Sequence, residues 1–260
     1  MNTLELFSLK GKVAIVTGGY GHLGTAFSET LRDLGAKVYV AARNKTKFLA
    51  KFNNEENIQF LDFDIMSTES IKKGLKLVYE QDGHIDVFVN NAFQVAGQYP
   101  EETTDDELME SFDGTIGSVY KCIRELMPYM KLQKSGNIIN IASMYGIVVP
   151  DFKLYEGECR DFFNPPQYGA GKAAVVQLTK FFAEYLAPYN IRVNAIAPGT
   201  YPSGDALDSA EFCKRLSVHN PMGRIGAPDD LKGTMAYLAT EASRYTTGQT
   251  IQVDGGWTIW

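Results

Sequence analysis

Cysteine is scarce in this sequence, and the cysteines present are poorly placed for joint chemistry. Cys122, Cys159 and Cys213 are the 3 cysteines among 260 residues, and none belongs to a Cys-x-x-Cys pair or lies at metal-ligand spacing from a histidine. An odd number of widely spaced cysteines offers no disulfide framework and no zinc site. We therefore expect reduced thiols, no bound metal and a cytoplasmic location.

Basic clusters and long apolar runs are missing as well. The chain carries 25 Lys and Arg against 31 Asp and Glu, a net charge of -6, without a basic patch interleaved with aromatic residues. This balance argues against a nucleic-acid partner. No apolar run approaches the roughly 20 residues of a membrane span. The N-terminal segment includes Glu5 and lacks the apolar core of a leader, so we expect a soluble, unprocessed protein without a membrane partner.

The chain does contain a repeated alternation of short β-branched runs with longer helical patterns. Its 260 residues, 45% of them hydrophobic, are enough for one large core. Continuous apolar runs predict strands that are buried on both faces of a parallel sheet, with helices on each side. We therefore predict an α/β fold, a single-domain doubly wound parallel sheet over residues 1–260. The predicted strands cover residues 12–16, 37–41, 58–63, 87–89, 137–141, 191–196 and 250–253, and the two longest predicted helices cover residues 105–130 and 167–187.

A glycine-rich turn follows the first predicted strand and leads directly into a helical pattern over residues 23–34. Glycines at such a turn let the backbone approach a pyrophosphate, and the helix N-terminus attracts its charge. The strand, turn and helix together predict a Rossmann-type dinucleotide site. The residues expected to line it are Gly18, Tyr20, Gly21, His22, Leu23 and Gly24.

Tyr168 and Lys172 form a second candidate site. They lie four residues apart in a predicted helix, so their side chains share one face. A lysine ammonium beside a phenol favours the phenolate, and we expect it to lower the tyrosine pKa from about 10 toward neutrality. Such a tyrosine can exchange a proton with an alcohol or carbonyl. Alone, the same spacing is also typical of an amphipathic helix with a surface lysine.

The order of these and further motifs resembles the classical short-chain dehydrogenase/reductase family over nearly the whole chain. The spacing within the glycine turn is closer to that of the extended branch of the same superfamily. The further matching motifs are Asp64, Asn90-Asn91-Ala92, Asn140-Ile141-Ala142-Ser143, Arg192-Val193-Asn194, Pro198-Gly199, Arg224-Ile225-Gly226 and Asp254-Gly255-Gly256.

The resemblance implies hydride transfer between NAD(P)(H) and a secondary alcohol or ketone, by a homodimer or homotetramer. Tyr168 would be the general acid or base, Lys172 would hold the nicotinamide ribose, and Ser143 would hydrogen-bond the reacting oxygen. Two donors aimed at one oxygen stabilise the alkoxide character that hydride transfer creates. Cofactor contacts are also implied for Asp64 with Ile65 near the adenine, Asn90 with Ala92 near the adenosine ribose, and Pro198, Gly199 and Ser203 near the carboxamide. For Asp64 and Asn90 the alternative is local capping of a strand end.

Two positions depart from the family pattern. His22 occupies the usual second-glycine position, which leaves glycines at Gly18, Gly21 and Gly24, as in enzymes that commonly act on nucleotide sugars. We expect Gly21 to provide the close approach and His22 to begin the helix. Gly114 stands where the family has an asparagine that helps to hold a water beside the lysine. A glycine within a helix also indicates a local kink.

The segment over residues 147–167 looks like an insertion between Ser143 and Tyr168, and it is rich in aromatic and charged residues. Because it emerges between two candidate catalytic residues, we predict that it borders the substrate site as a lid. Tyr155 and Arg160 are the expected contacts for a sugar or sugar derivative. The alternative is a loop packed on the surface or at a subunit contact.

The residues after the second predicted strand bear on cofactor choice. Ala42 stands where an acidic residue would bind the ribose hydroxyls, and Arg43 follows it. An arginine can pair with a 2′-phosphate through two hydrogen bonds, so NADP(H) is favoured. NAD(H) is possible if Arg43 instead stacks on the adenine.

Two other function classes remain open from the sequence. The departures at His22 and Gly114 would suit a nucleotide-binding sensor or complex subunit with little turnover. The unusual glycine spacing would suit a sugar epimerase or dehydratase that holds its nucleotide tightly.

Overall fold

The computed structural model describes residues 2–53 and 55–259. Seven parallel strands form one sheet in the order β3-β2-β1-β4-β5-β6-β7. All seven predicted strands are present, and no end differs by more than two residues from its prediction. The strands are β1 (Val13–Thr17), β2 (Lys37–Ala42), β3 (Ile58–Asp62), β4 (Val87–Asn90), β5 (Gly136–Ile141), β6 (Ile191–Pro198) and β7 (Thr250–Val253).

Helices connect the strands and cover both faces of the sheet. They are α1 (His22–Asp33), α2 (Lys45–Phe52), α3 (Thr68–Asp82), α4 (Asp105–Phe112), α5 (Ser118–Gln133), α6 (Pro166–Leu186), α7 (Asp205–Asp208), α8 (Ala210–His219) and α9 (Lys232–Ala239). The single helix predicted over residues 105–130 is interrupted, because a π-helical turn, Asp113–Gly117, joins α4 to α5. Single π-helical turns inside longer helices are frequent at functional sites.

Two hydrophobic cores lie on opposite faces of the sheet. All five residues of β1 are buried, and alternate side chains of a strand point to opposite faces. Val13 and Ile15 therefore join the core under α3, α5 and α6, whereas Ala14 and Val16 join the core under α1, α2 and α9. The continuous apolar strands thus have the burial on both faces that their sequence predicts.

A third hydrophobic cluster lies outside the sheet, and we call it the insertion cluster. Residues 147–167 contribute two 3-10 turns, Phe152–Tyr155 and Gly157–Phe162. Their apolar side chains pack against α8 and the C-terminal segment. The buried members of the insertion cluster are Met144, Leu154, Tyr155, Cys159, Phe212, Leu216 and Trp257.

The strand order reverses between β1 and β4, and ligands of doubly wound sheets bind at the carboxyl edge near such a reversal. The turns that follow β1, β4, β5 and β6 all reach this edge. Among the described residues, no helix is long and apolar enough to cross a membrane. Within the same part of the chain, no group of three or more His, Cys, Asp or Glu side chains is arranged to hold a metal ion.

Candidate active site

Two cavities of about 390 Å³ each adjoin at the carboxyl edge of the sheet. The one that we call the glycine cleft is lined by Gly18, Tyr20, Gly21, His22, Leu23, Gly24, Asn91, Ala92, Ile141, Ala142, Lys172 and Pro198. The one that we call the outer pocket is lined by Val95, Met144, Tyr145, Tyr155, Phe162, Asn164, Pro165, Thr200, Pro202, Ala206, Phe212 and Leu216. Six residues line both cavities, namely Phe93, Ser143, Tyr168, Gly199, Tyr201 and Ser203.

The glycine turn is held in a conformation that suits a pyrophosphate. Gly18 has φ +62°, which favours glycine, and a Cβ on Gly24 would collide with the Gly18 carbonyl oxygen. Asn91 after β4 fixes the turn, because its side-chain amide donates to the carbonyl oxygens of Thr17 at 2.8 Å and Gly18 at 3.3 Å. The first N–H groups of α1 have no partners within the helix, so the cleft fits a dinucleotide.

His22 is accommodated in this turn because it begins α1 with an exposed side chain. Gly21 immediately before it is the N-cap residue, and an added Cβ there would meet only the Gly18 oxygen, at 3.1 Å. Within the protein itself, Gly24 is therefore the more tightly packed of these two positions. All six residues expected at the glycine turn line the glycine cleft.

Lys172 is buried beneath the boundary between the two cavities, with 4% of its surface exposed. Its Nζ atom donates to the Ile141 carbonyl oxygen at 2.7 Å. The same atom lies 4.8 Å from the ring centre of Phe93 and 5.6 Å from that of Tyr168. Burial disfavours the ammonium form and lowers the pKa of Lys172 to about 7. This lysine can therefore gain or lose a proton near neutral pH.

The pKa of Tyr168 is shifted in the direction opposite to the one that its sequence context predicts. Burial raises the pKa of its phenol, and a hydrogen bond with Ser143 counteracts part of that rise. The prediction that Lys172 lowers this pKa is therefore wrong for the present geometry. The cause is that the lysine amine is directed at the Ile141 carbonyl and is itself too buried to keep a full charge.

Ser143 follows β5 and caps a 3-10 turn, Met144–Gly146, in which its Oγ atom accepts a hydrogen bond from the Tyr145 backbone N–H at 3.1 Å. A hydroxyl that accepts one hydrogen bond still has its own proton to donate. Because Ser143 lines both cavities, a bound ligand can replace the Tyr168 oxygen as the acceptor of this proton. The capping role that any strand-end serine can have thus coexists with a place in the site.

Four residues expected to contact the cofactor do not line either cavity. The Asn90 side chain lies within the sheet and donates to Asn140 Oδ1 at 2.8 Å, and Asn91 lies in the cleft in its place. Asp64 accepts a hydrogen bond from the Met66 backbone N–H at 2.9 Å, which is the local capping alternative. The four residues outside both cavities are Arg43, Asp64, Ile65 and Asn90.

Arg43 nevertheless follows directly after β2, and the end of this strand is hydrogen-bonded to the glycine turn. Arg43 is exposed just beyond β2, and the last pairs of the sheet place Ala42 beside Asp62 of β3. The Gly18 backbone N–H donates to the Ala41 carbonyl oxygen at 2.8 Å. The glycine turn is therefore hydrogen-bonded to the residue two positions before Arg43.

Gly114, in the position of the family's asparagine, lies in the π-helical turn against a neighbouring segment. Its carbonyl oxygen accepts a hydrogen bond from the Gln94 backbone N–H at 3.1 Å, and an added Cβ would collide with the Gln94 carbonyl oxygen. Ser111 of α4 holds the same segment, because its Oγ atom accepts from Ala96 N–H and donates to Ala96 C=O. The structure thus has no room for an asparagine side chain at Gly114.

We predict that Gly114→Asn lowers the free energy of unfolding by about 1–3 kcal/mol, the usual cost of overpacking a tight site. Denaturant unfolding followed by circular dichroism measures the change. The matched control is Gly233→Asn in α9, where an added Cβ meets nothing within 4 Å. Equal stability of the two variants would contradict the prediction.

The insertion contributes one of its two expected contacts to the outer pocket. Tyr155 is 6% exposed, lines the pocket, and has its hydroxyl oxygen 3.1 Å from that of Tyr145. Arg160 does not line the pocket. Its guanidinium carbon lies 4.9 Å from the ring centre of Tyr99, and its carbonyl oxygen accepts a hydrogen bond from the Tyr99 hydroxyl.

Several residues that line the outer pocket were not predicted from the sequence. Tyr145 could have been found from its place two residues after Ser143, because a turn that follows a strand end points side chains toward the same edge. Asn164, Thr200, Tyr201 and Phe212 carry no motif, and only the fold brings them together.

Comparisons with known proteins agree with this geometry. The family model described as enoyl-(acyl carrier protein) reductase matches residues 21–258. The chain is 34% identical to 7α-hydroxysteroid dehydrogenase of Bacteroides fragilis over 262 residues, which cover 96% of this chain and 95% of that protein. It is 35% identical to a sorbose reductase of Candida albicans over 269 residues, with 99% and 90% covered.

A solved structure shares the whole fold. The gluconate 5-dehydrogenase of Burkholderia cenocepacia, in complex with NADP and tartrate, superposes with a TM-score of 0.88 at 27% identity, covering 100% of both chains. The motif order, the sheet topology and these relatives all point the same way. The chain therefore belongs to the classical short-chain dehydrogenase/reductase family and is an NAD(P)(H)-dependent oxidoreductase that acts on alcohol and ketone groups.

Proposed function

We propose that this enzyme interconverts a ketone and a secondary alcohol in a neutral polyhydroxylated compound, such as a keto-sugar and its sugar alcohol, with NADP(H). The observation that carries the proposal is the lining of the outer pocket. Among the described residues, no Asp, Glu, Lys, Arg or His side chain lines it. Neutral hydrogen-bonding side chains are supplied by Ser143, Tyr145, Tyr155, Asn164, Tyr168, Thr200, Tyr201 and Ser203.

Charge argues against the anionic alternatives. A sugar acid or a nucleotide sugar would bring a carboxylate or phosphate into a pocket without a cation, and burying an unpaired charge is costly. A sugar presents many hydroxyl groups and also apolar C–H faces. The neutral polar groups and the aromatic rings of Phe93, Phe162 and Phe212 in the pocket suit both parts. The similarity to a sorbose reductase supports the same substrate class.

The glycine turn and the N-terminus of α1 would hold the pyrophosphate of the cofactor. Pro198, Gly199 and Ser203 lie at the end of the cleft that adjoins the outer pocket, where they would hold the carboxamide. When bound there, the nicotinamide supplies or accepts the hydride.

Proton transfer would be carried out by Ser143, Tyr168 and Lys172. In reduction, Ser143 donates a hydrogen bond to the carbonyl oxygen, and Tyr168 gives that oxygen its proton; in oxidation, Tyr168 takes the proton back. Lys172 holds a proton 5.6 Å from the ring centre of Tyr168 and can release it, because its pKa is about 7. The Phe93 ring lies over this amine, with its centre 4.8 Å from Lys172 Nζ.

The substrate class is tested by comparing kcat/KM with NADPH for three ketones: a neutral ketohexose, the keto acid of the same carbon skeleton, and an oxosteroid. We expect the ketohexose to exceed the other two by at least tenfold. A preference for the oxosteroid would require the apolar side chains of the pocket wall to be the main substrate contacts. These side chains are Val95, Met144 and Leu216. A higher value for the keto acid or the steroid would overturn the proposal.

The preference for NADP(H) is assigned to Arg43. Charge-assisted hydrogen bonds contribute about 1.5–3 kcal/mol, so Arg43→Ala should raise the Kd of NADPH by about 10- to 100-fold and leave that of NADH nearly unchanged. Ala42→Asp should reverse the preference by repelling the 2′-phosphate. Fluorescence titration with both nucleotides measures the Kd values, with the exposed Arg244→Ala as control. An unchanged NADPH to NADH ratio in both test variants would refute the assignment.

We also propose a cytoplasmic homo-oligomer, a dimer or a tetramer. The helices α4 and α6 carry exposed apolar side chains, with Met109 64%, Phe181 60% and Tyr185 51% exposed, which association would bury. The thiols Cys122, Cys159 and Cys213 are free, as in a reducing compartment. Light scattering that gives the monomer mass, or fractionation outside the cytoplasm, would contradict this part.

A further inference from the structure

Two tyrosine hydroxyls meet in the wall of the outer pocket. Tyr145 Oη lies 3.1 Å from Tyr155 Oη, within hydrogen-bond distance. Tyr145 belongs to the 3-10 turn that Ser143 caps, and Tyr155 ends the turn Phe152–Tyr155 of the insertion. The pair therefore joins the strand end that carries Ser143 to the segment over residues 147–167.

The hydroxyl protons of the two tyrosines determine which groups the pair can still bind. Two phenols carry two hydroxyl protons, and their mutual hydrogen bond uses one of them. In the part of the chain that the structure describes, each phenol oxygen has only the other as its partner. One proton and several lone pairs are left. A group that both donates and accepts, which is an alcohol hydroxyl, can complete the arrangement, whereas a carbonyl or ether oxygen only accepts.

The position of the pair relates it to the reacting carbon. The Tyr145 backbone N–H donates to Ser143 Oγ at 3.1 Å. Burial raises the pKa of the Tyr145 phenol, and the neighbouring phenols Tyr155 and Tyr168 raise it further. Both tyrosines of the pair line the same outer pocket as Ser143 and Tyr168. The pair thus faces a part of the substrate beside the carbonyl that Ser143 and Tyr168 would hold.

We propose that the Tyr145–Tyr155 pair recognises a second hydroxyl group of the substrate, within two carbons of the reacting carbonyl. This inference rests on the proposed function and makes it more specific, since hydroxy ketones and the corresponding diols become the preferred substrates. Sites built to hydrogen-bond a substrate hydroxyl discriminate strongly against the analogue that lacks it, because buried polar groups are then left unpaired.

Three small ketones of equal carbon number test the pair: 2-butanone, 3-hydroxy-2-butanone and 4-hydroxy-2-butanone. The readout is the ratio of kcat/KM between each hydroxy ketone and 2-butanone. For the wild type, we expect at least one ratio of about 100 or more. Tyr155→Phe should lower it about tenfold, since one hydroxyl remains, and Tyr145→Phe combined with Tyr155→Phe should bring it close to one.

Tyr237→Phe is the control for this ratio. Tyr237 lines neither cavity, and its hydroxyl oxygen lies 2.8 Å from Thr246 Oγ1, so loss of this second hydroxyl pair should leave the ratio as in the wild type. If the pair served only to hold the insertion in place, its loss would lower kcat/KM for all three ketones equally and keep the ratio.

The two proposals fail in different ways. A wild type that prefers keto acids or steroids to ketohexoses contradicts the proposed function, and the recognition of a second hydroxyl with it. A wild type that reduces ketohexoses, but whose ratio survives the double substitution, overturns the role of the pair alone.

Discussion

Tyr168→Phe should lower kcat/KM for the preferred ketone by about 10³-fold, because the variant lacks the phenol proton that lies beside Ser143 at the boundary of the two cavities. General acid–base catalysis contributes about 10²–10⁴-fold. The raised pKa of Tyr168 keeps this proton in place at neutral pH, which suits a general acid in ketone reduction. Nucleotide binding should be retained, since the ring itself remains in the wall of the cleft.

The measurement combines steady-state kinetics with titration of NADPH. The matched control is Tyr245→Phe, which alters a fully exposed tyrosine between the 3-10 turn Glu241–Ser243 and β7. We expect this control to match the wild type in both assays. Activity of Tyr168→Phe within tenfold of the wild type would assign the proton to another group.

Lys172→Met should have two effects of opposite sign, a loss of activity of about 10²-fold and a gain in stability at neutral pH. The loss follows from removing the group that holds a proton beside Tyr168. The gain follows from burial. A fall in the lysine pKa from 10.5 to about 7 corresponds to about 5 kcal/mol of destabilisation when the lysine is charged.

The net gain is smaller because the substitution leaves the Ile141 carbonyl oxygen without its donor. An unsatisfied buried acceptor costs about 1–3 kcal/mol, so we expect Lys172→Met to be more stable by about 2 kcal/mol at pH 7. The pH dependence has a definite sign. Between pH 7 and pH 10.5 the unfolded chain binds a proton that the folded chain does not, so the wild type gains stability as the pH rises through this interval.

Denaturant unfolding without nucleotide at pH 6.5 and pH 9.5 tests this. The advantage of Lys172→Met should be largest at the lower pH and should shrink at the higher one. Lys180→Met is the control, since Lys180 is an exposed lysine of α6, and it should show neither the loss of activity nor the pH-dependent gain. A Lys172→Met protein that is less stable than the wild type at both values would contradict the argument.

The sheet was accessible from the sequence because its strands are buried on both faces. Every residue of Val13–Thr17 is buried. A continuous apolar run of this kind is typical of a strand inside a parallel sheet. The helix over residues 105–130 was harder, since its apolar periodicity continues through the interruption. The π-helical turn arises from the tertiary contact of Gly114 with Gln94, and periodicity does not report such a contact.

The placement of the site residues was predicted well where it follows from the backbone and less well where it depends on side-chain direction. The glycine turn, Ser143, Tyr168 and Lys172 were expected together, and the structure brings them all to the glycine cleft. The resemblance to the family implied a cofactor contact for Asn90 at the end of β4, with local capping as the alternative. The structure places its side chain within the sheet, since consecutive residues of a strand point to opposite faces, and Asn91 enters the cleft.

The direction of the tyrosine pKa shift required the burial of both partners to be known. Spacing along a helix shows that Tyr168 and Lys172 are neighbours, but it does not show how much water either side chain retains. Burial raises the pKa of the phenol and lowers that of the amine, so both groups are pushed toward their neutral forms. The Coulomb attraction that the sequence suggested is weaker than this desolvation.

The insertion cluster allows the substrate pocket to change in evolution independently of the dinucleotide site. Its apolar members come from the segment after Ser143, from α8 and from Trp257, and they share no residue with the two cores that hold the sheet. Substitutions at sites without shared contacts have nearly additive effects. Mutations that change the insertion can therefore alter which ketone is accepted, while the dinucleotide site keeps its affinity. Proteins that descend from this one could acquire new substrates in this way and retain the same cofactor site.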